Sequence, residues 1–492
     1  MNGASDQNEH STRQDAADPG YKWVVLSITT IGVLMAAIDN TIVILALPAM
    51  MTELHSNLVA MIWVLMAYIF VSTVLLLALG RIADIYGRVR LYNFGFAIFT
   101  LGSCFCGLSQ SGHMLIGARV FQGAGGALML VNAWPIITEA FPPNQRGMAM
   151  GINSMTSGLG GVIGPVLGGL ILSIASWRWI FFINIPIGIA GTYFGYIRLK
   201  KMPRPRAGEH LDWLGAITFS IGLFALLYAL TQGIQLGWTS STIIGLFAFF
   251  IVSIAFFVFW EHRAKCPALD LTLFQNRVYD FSVLAATFQS LAIYAVQFLI
   301  VFYLQAVRGY DPLTAALLLL PMPLGLAITG PFGGRLSDKI GARVPATVGL
   351  LIQAGGVYWL STLTATSHYS IIAIGLILTG IGGGLFYSPN TSAAMSTSPR
   401  DRLGVASATL ATLRNAGMVT SFAIALAVAA SAMPRAIMLK VFIGTASHLG
   451  SKLMVTFVDG MNSALRVSVG LSVIAALMSL VRGREGRRNI EA

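Results

Sequence analysis

Two charged residues stand where the surrounding sequence is apolar, an acid that could take up and release a proton and a guanidinium that must find an acceptor. Asp39 lies within "LMAAIDNTIVILALP", flanked by Asn40 and Thr41 and otherwise by aliphatic residues. A carboxylate at the centre of a bilayer costs about 2.5–3.5 kcal/mol on insertion scales, so such an acid usually faces a cavity, a partner or a proton path. That makes Asp39 a candidate for coupling to protons. The plainer alternative is a hydrogen-bonded aspartate that breaks or orients its helix. Arg119 precedes "VFQGAGG" in a second apolar stretch. A buried guanidinium needs an acceptor, and water, Gln122 or a carboxylate such as Asp39 could serve. A cation that merely holds helices together is the alternative. Catalytic signatures are missing: the seven histidines are scattered, and neither a G-x-S-x-G elbow nor an H-E-x-x-H metal pair is present. No catalytic residue, metal or cofactor is expected.

The elements that must position these groups are membrane helices. Of the 492 residues, 56% are hydrophobic and only 10% charged, and mean hydropathy is +0.75. An ordinary soluble chain carries about a quarter charged residues. A bilayer core of about 30 Å takes roughly 20 apolar residues per helix, and on that ruler the chain divides into fourteen segments, among them 24–50, 58–80, 113–137, 312–334 and 403–431. Lys and Arg are retained on the cytoplasmic side in short loops. Placing both termini in the cytoplasm leaves only Arg178, Arg308, Arg435, Lys440 and Lys452 on the outer side, with Arg119, Arg414 and Arg466 inside segments. The net charge of +12 thus follows membrane topology, and nucleic acid is not an expected partner, since no soluble basic face collects it. Cys104 and Cys106 fall in an apolar segment and read as small packing residues.

A costly phrase occurs twice. "GRIADIYGRVR" (80–90) and "GRLSDKIGARV" (334–344) match at Gly80, Arg81, Asp84 and Gly87 against Gly334, Arg335, Asp338 and Gly341, an offset of 254. "QGAGGAL" at 122–128 likewise resembles "TGIGGGL" at 379–385. Parallel duplication of this kind marks transporters built from two halves that rock about a central site. The expected division is a disordered tail (1–22), a six-helix half (23–200), a linker carrying two extra helices (201–278), a second six-helix half (279–481) and a basic tail (482–492). Both copies of the phrase, with Arg88 beside the first, fall in expected cytoplasmic loops. Arg119 has no counterpart, because residue 376 is Leu.

An ordered set of motifs resembles the fourteen-helix drug:proton antiporter branch of the major facilitator superfamily: "DNTIVILALP", "GRIADIYGRVR", "ARVFQGAGGA", "GLGGVIGPVLGG", "WRWIFFINIPIG" and "YLQAVRGYDPLTAALLLLPMPLG". The resemblance spans nearly the whole chain. It implies an all-α membrane fold of two pseudo-symmetric six-helix bundles plus two inserted helices. It further implies export by alternating access, driven by the proton gradient, of lipophilic or amphiphilic small molecules. Arg119 would share in proton transfer, the repeated loops would latch the cytoplasmic side, and Gly160, Gly164, Pro165, Gly168 and Gly169 would form the antiporter motif that limits leak. Gln122, Tyr294, Gln297, Gln305, Arg414 and Asn415 are candidates for lining the cargo site, Tyr294, Gln297 and Gln305 by their shared helix face; interhelical hydrogen bonding is the alternative. The second half has no obvious membrane-embedded acid, which argues against dicationic cargo. Trp177 and Trp179 are expected to anchor at the outer interface. The implied setting is a monomer in the cytoplasmic (inner) membrane of a bacterium, partnered by protons, small molecules and lipid; a periplasmic adaptor is left open. A dedicated exporter of one metabolite, or an importer of the same fold, is the alternative function, and an integral membrane enzyme is a distant third.

Overall fold

The computed structural model describes residues 20–142, 146–199, 212–264, 267, 269, 271–398, 403–431 and 451–483. Residues 1–19 and 484–492, and with them most of both expected tails, lie outside the described residues. The described chain is helical: α1 (Tyr21–Glu53), α2 (Leu58–Tyr86), α3 (Arg88–Gly107), α4 (Gly112–Ala140), α5 (Arg146–Ile174), a short α6 (Trp179–Phe182) running on into α7 (Asn184–Arg198), α8 (Trp213–Leu236), α9 (Ser241–Glu261), α10 (Arg277–Phe302) continued by a π-turn (Tyr303–Val307), α11 (Pro312–Leu319) and α12 (Pro321–Ile340), α13 (Arg343–Leu360), α14 (Tyr369–Ser396), α15 (Leu403–Ser431) and α16 (Ser451–Val481). Starts are set by side-chain caps, which replace missing backbone partners: Asn57 accepts from Ala60, Ser111 from Met114 and Asp311 from Leu313 and Thr314. Pro321 separates α11 from α12, since proline removes a helical donor and crowds the preceding turn.

Among the described residues, twelve helical spans are long and apolar enough to cross a membrane. The two further segments of the expected fourteen, α5 and α13, fall outside that count. In α5 the apolar stretch is the shorter Gly158–Ile174, and α13 has 18 residues. Both are glycine-containing helices packed tightly between neighbours.

The pairing of helices repeats. α3 packs on α4, α2 on α4 and α1 on α5; α13 packs on α14, α12 on α14 and α10 on α15 in the same way. The contacts correspond residue by residue. A Cβ added at Gly125 would meet the backbone of Phe99 and the Gly95 carbonyl, and one at Gly382 would meet the backbone of Gln353 and the Gly349 carbonyl. Gly123 abuts the Tyr68 carbonyl and Gly380 that of Met322. The partners on α3 and α2 are again 254 residues from those on α13 and α12. Between the halves, α2 meets α15 and α5 meets α11.

The apolar core is shared by the halves at one end. There Ile42–Leu47 and Met61–Met66 form one cluster with Phe298–Leu304, Ala315, Ala316 and Val419. Gly169 lies against Pro312 and Leu313, and the Gln305 amide donates to the Leu45 carbonyl at 3.4 Å. Toward the opposite end, among the described residues, Leu26, Ile137, Phe141 and Ala149 cluster within the first half, and Tyr279, Val283, Leu350, Phe386 and Ala406 within the second. The shared core joins the halves at the first end.

Several sequence expectations need correction here. The repeated phrase is not a loop. α2 runs on to Tyr86 and α12 to Ile340, because neither glycine nor proline interrupts residues 81–86 or 335–340. Only Gly87 and Gly341 turn, with φ of 97° and 83°, a region open to glycine at little cost. Each donates its N–H four residues back, to Ala83 and Ser337. The expected first tail is already helical at Tyr21, and Arg482, expected in the basic tail, is buried with Nη1 against Asn390 Oδ1 at 3.2 Å. Trp177 is not an interfacial anchor: it is 2% exposed and packs edge-on against Phe181, whereas Trp179 is exposed.

Candidate functional site

Asp39 and Arg119 meet. Near the middle of α1, Asp39 is fully buried, and Arg119 of α4, also fully buried, places Nη1 2.5 Å from its Oδ2. The same nitrogen donates to Gln122 Oε1 at 2.7 Å, and Nε donates to the Val64 carbonyl of α2 at 3.1 Å. The other carboxylate oxygen accepts from Gln122 Nε2 at 2.9 Å and from Asn184 Nδ2 at 3.0 Å. Ser103 of α3 accepts from both amides at 3.0 Å and donates its hydroxyl to the Phe181 carbonyl at 3.1 Å. The Tyr68 ring covers the guanidinium at 4.4 Å.

This is a closed set of charge-assisted hydrogen bonds in a low-dielectric interior, where such bonds are strongest and a missing partner is most costly. Protonation of Asp39 would cancel the charge that Arg119 pairs with, so a single proton changes what holds α1 to α4.

The second face of α1 meets the glycines of α5. A Cβ at Gly160 would meet the Ala37 side chain at 2.5 Å, one at Gly164 would strike Thr41, and one at Gly168 would meet Ile42 at 2.8 Å. Thr41 donates to the Gly160 carbonyl at 3.3 Å. Pro165 lies inside the same helix. The Asp39 turn is therefore held between an arginine and a smooth helix face, while Gly169, on the other side of α5, touches α11 of the second half.

The remaining candidates divide. Gln122 is fully buried and bonded to Asp39, so it belongs to the charged cluster. Tyr294, Gln297, Gln305, Arg414 and Asn415 are half-buried in the second half. Arg414 of α15 bonds the Tyr387 hydroxyl of α14 and stands 5.1 Å from its ring, and Tyr294 stacks obliquely on Phe422 at 6.2 Å. In the repeated phrase, Arg88 pairs with Glu139 at 2.8 Å, Arg335 is exposed, and a Cβ at Gly334 would approach Ser388. The surroundings of Gly80 and the side chains of Arg81, Asp84 and Asp338 lie outside what is described. Asn184, Ser103 and Tyr68 were not anticipated from sequence. Asn184 alone had a visible signal, an amide set between Ile183 and Ile185.

Residues 29–422 match the Major Facilitator Superfamily. The chain is 34% identical over 404 residues to the multidrug resistance protein Stp of Mycobacterium tuberculosis (strain CDC 1551 / Oshkosh), covering 82% of this chain and 74% of that protein. It is 33% identical over 401 residues to the riboflavin transporter RibZ of Clostridioides difficile, covering 80% and 85%. A bacterial homologue of the lysosomal transporter Spinster, solved inward-facing and occupied, shares the fold with a TM-score of 0.69 at 19% identity, over 95% of this chain and 97% of that one.

Proposed function

This chain belongs to the Major Facilitator Superfamily and is a multi-pass membrane transporter, not an enzyme, and on that premise we propose that it exports lipophilic or amphiphilic small molecules in exchange for protons. The observation that carries the reading is the buried pair of Asp39 and Arg119, closed by Gln122 and Asn184 and backed by the glycine face of α5. In this reading both termini lie in the cytoplasm of a bacterial cell, in keeping with the basic residues of that side.

In this mechanism the charged Asp39–Arg119 pair is the resting state. When the outer end opens, a proton from outside neutralises Asp39 and leaves Arg119 with the Gln122 and Val64 oxygens. α1 is then free to slide along the glycines at 160, 164 and 168, and because Gly169 of α5 touches α11, the shift reaches the second half. Loss of the proton to the cytoplasm restores the pair. Ends of α2 and α12 bearing Arg81, Asp84, Arg335 and Asp338 act as the cytoplasmic latch.

The names of relatives support a drug-like cargo through the multidrug resistance protein of Mycobacterium tuberculosis, and a single-metabolite cargo through the riboflavin transporter of Clostridioides difficile. Growth inhibition across a chemical panel, with and without the gene, separates these. Sensitivity relieved for several unrelated compounds supports the broad reading; relief for one compound supports the narrow one. Uptake that rises with expression in energised cells would contradict export.

A further inference from the structure

Two of the arginines inside membrane segments, Arg119 and Arg414, are in unlike settings. Arg119 is fully buried and bonded to an acid, an amide and a carbonyl. Arg414 is half-buried, and among the described residues no carboxylate lies within ion-pair distance of it; its bond is to the Tyr387 hydroxyl. Its electrostatic neighbours are Tyr387 and Tyr294. Asp39, the acid in the middle of α1, is already taken by Arg119. A guanidinium carries five donors and no acceptor, and a cation kept from water without a counter-ion is costly. α15 is fixed one turn further on by Gly417, where a Cβ would meet the Thr287 carbonyl at 2.7 Å, so Arg414 is held on a rigid stretch.

The surroundings are flat and aromatic. Tyr387 lies under the guanidinium, Tyr294 packs on Phe422, and Gln297 follows Tyr294 by three residues on α10. We propose that Arg414, with Tyr387 and Tyr294, binds the anionic group of an aromatic organic acid, a carboxylate or sulfonate, as the cargo. This rests on the export reading above and gives it a charge class. Guanidinium matches the two oxygens of such groups in a bidentate fork, while the rings cover the apolar body. An anionic cargo is also pushed outward by an inside-negative membrane, so its export draws on the potential as well as on the proton gradient.

The test uses the full chain in detergent and two dyes on one xanthene frame, anionic fluorescein and cationic rhodamine 123, with binding read by fluorescence anisotropy. Fluorescein should bind about tenfold tighter, a difference of about 1.4 kcal/mol. Arg414→Gln should erase the preference, Arg414→Lys should keep part of it, and Tyr387→Phe, which leaves the charge in place, should weaken fluorescein binding alone. Equal binding of the two dyes, preference for rhodamine 123, binding of neither, or unchanged fluorescein affinity in Arg414→Gln would overturn the proposal. Binding is measured without a gradient, so fluorescein preference in a protein that fails to move it against a pH gradient would retain this inference and remove proton-driven export.

Discussion

At the scale of residues, the account turns on the cost of leaving a buried charge alone. Arg119→Met strands Asp39 and should destabilise the protein by about 3–5 kcal/mol. Combining it with Asp39→Asn should recover much of that loss, because the two side chains are directly bonded and their effects are not additive. Thermal unfolding in detergent of the two single variants and the double variant checks this; additive losses would contradict a coupled pair. Asn184→Leu removes one hydrogen bond to the carboxylate, worth about 1.5–3 kcal/mol for a charged acceptor. Asp39, Arg119 and Gln122 were legible in sequence because charge and amide are rare in apolar segments. Ser103 and Tyr68 were not, since hydroxyls are common in membrane helices and their approach to Asp39 depends on how α2 and α3 pack on α4.

At the scale of elements, glycine positions set how closely helices approach. Gly125 and Gly382 occupy matching places, with a Cβ at 2.8 Å from the Gly95 carbonyl in one case and from the Gln353 Cα in the other. Gly125→Ala and Gly382→Ala should each cost about 1–3 kcal/mol through overpacking against backbone, with similar falls in unfolding temperature. A large effect at one site and none at the other would break the correspondence of the halves. Gly160→Leu, which drives α5 away from Ala37, should uncouple substrate movement from the gradient while the Asp39 cluster remains intact. The duplication was legible because Gly80, Asp84 and Gly87 recur together at one spacing. The helical course of those residues was not: an apolar ruler ends a helix at the first charge, whereas α2 and α12 carry their charged turns beyond the apolar span. Trp177 misled for a related reason, as interfacial preference describes tryptophan on average, and this indole is folded inward against Phe181.

At the scale of the molecule, one end is closed by a core common to both halves. Cysteines at Gly169 and Leu313, positions where a Cβ on the first lies 2.6 Å from the Cα of the second, should crosslink on mild oxidation in a background lacking the native cysteines. The crosslinked protein should stop transporting and recover on reduction; undiminished transport after crosslinking would show that this end need not open. The most direct measurement is gradient-driven movement of a transported dye in proteoliposomes, comparing the natural protein with Asp39→Asn. The account expects the natural protein to concentrate dye against its gradient when protons flow the other way, and Asp39→Asn to bind the dye yet concentrate none. Full gradient-driven accumulation by Asp39→Asn would contradict it.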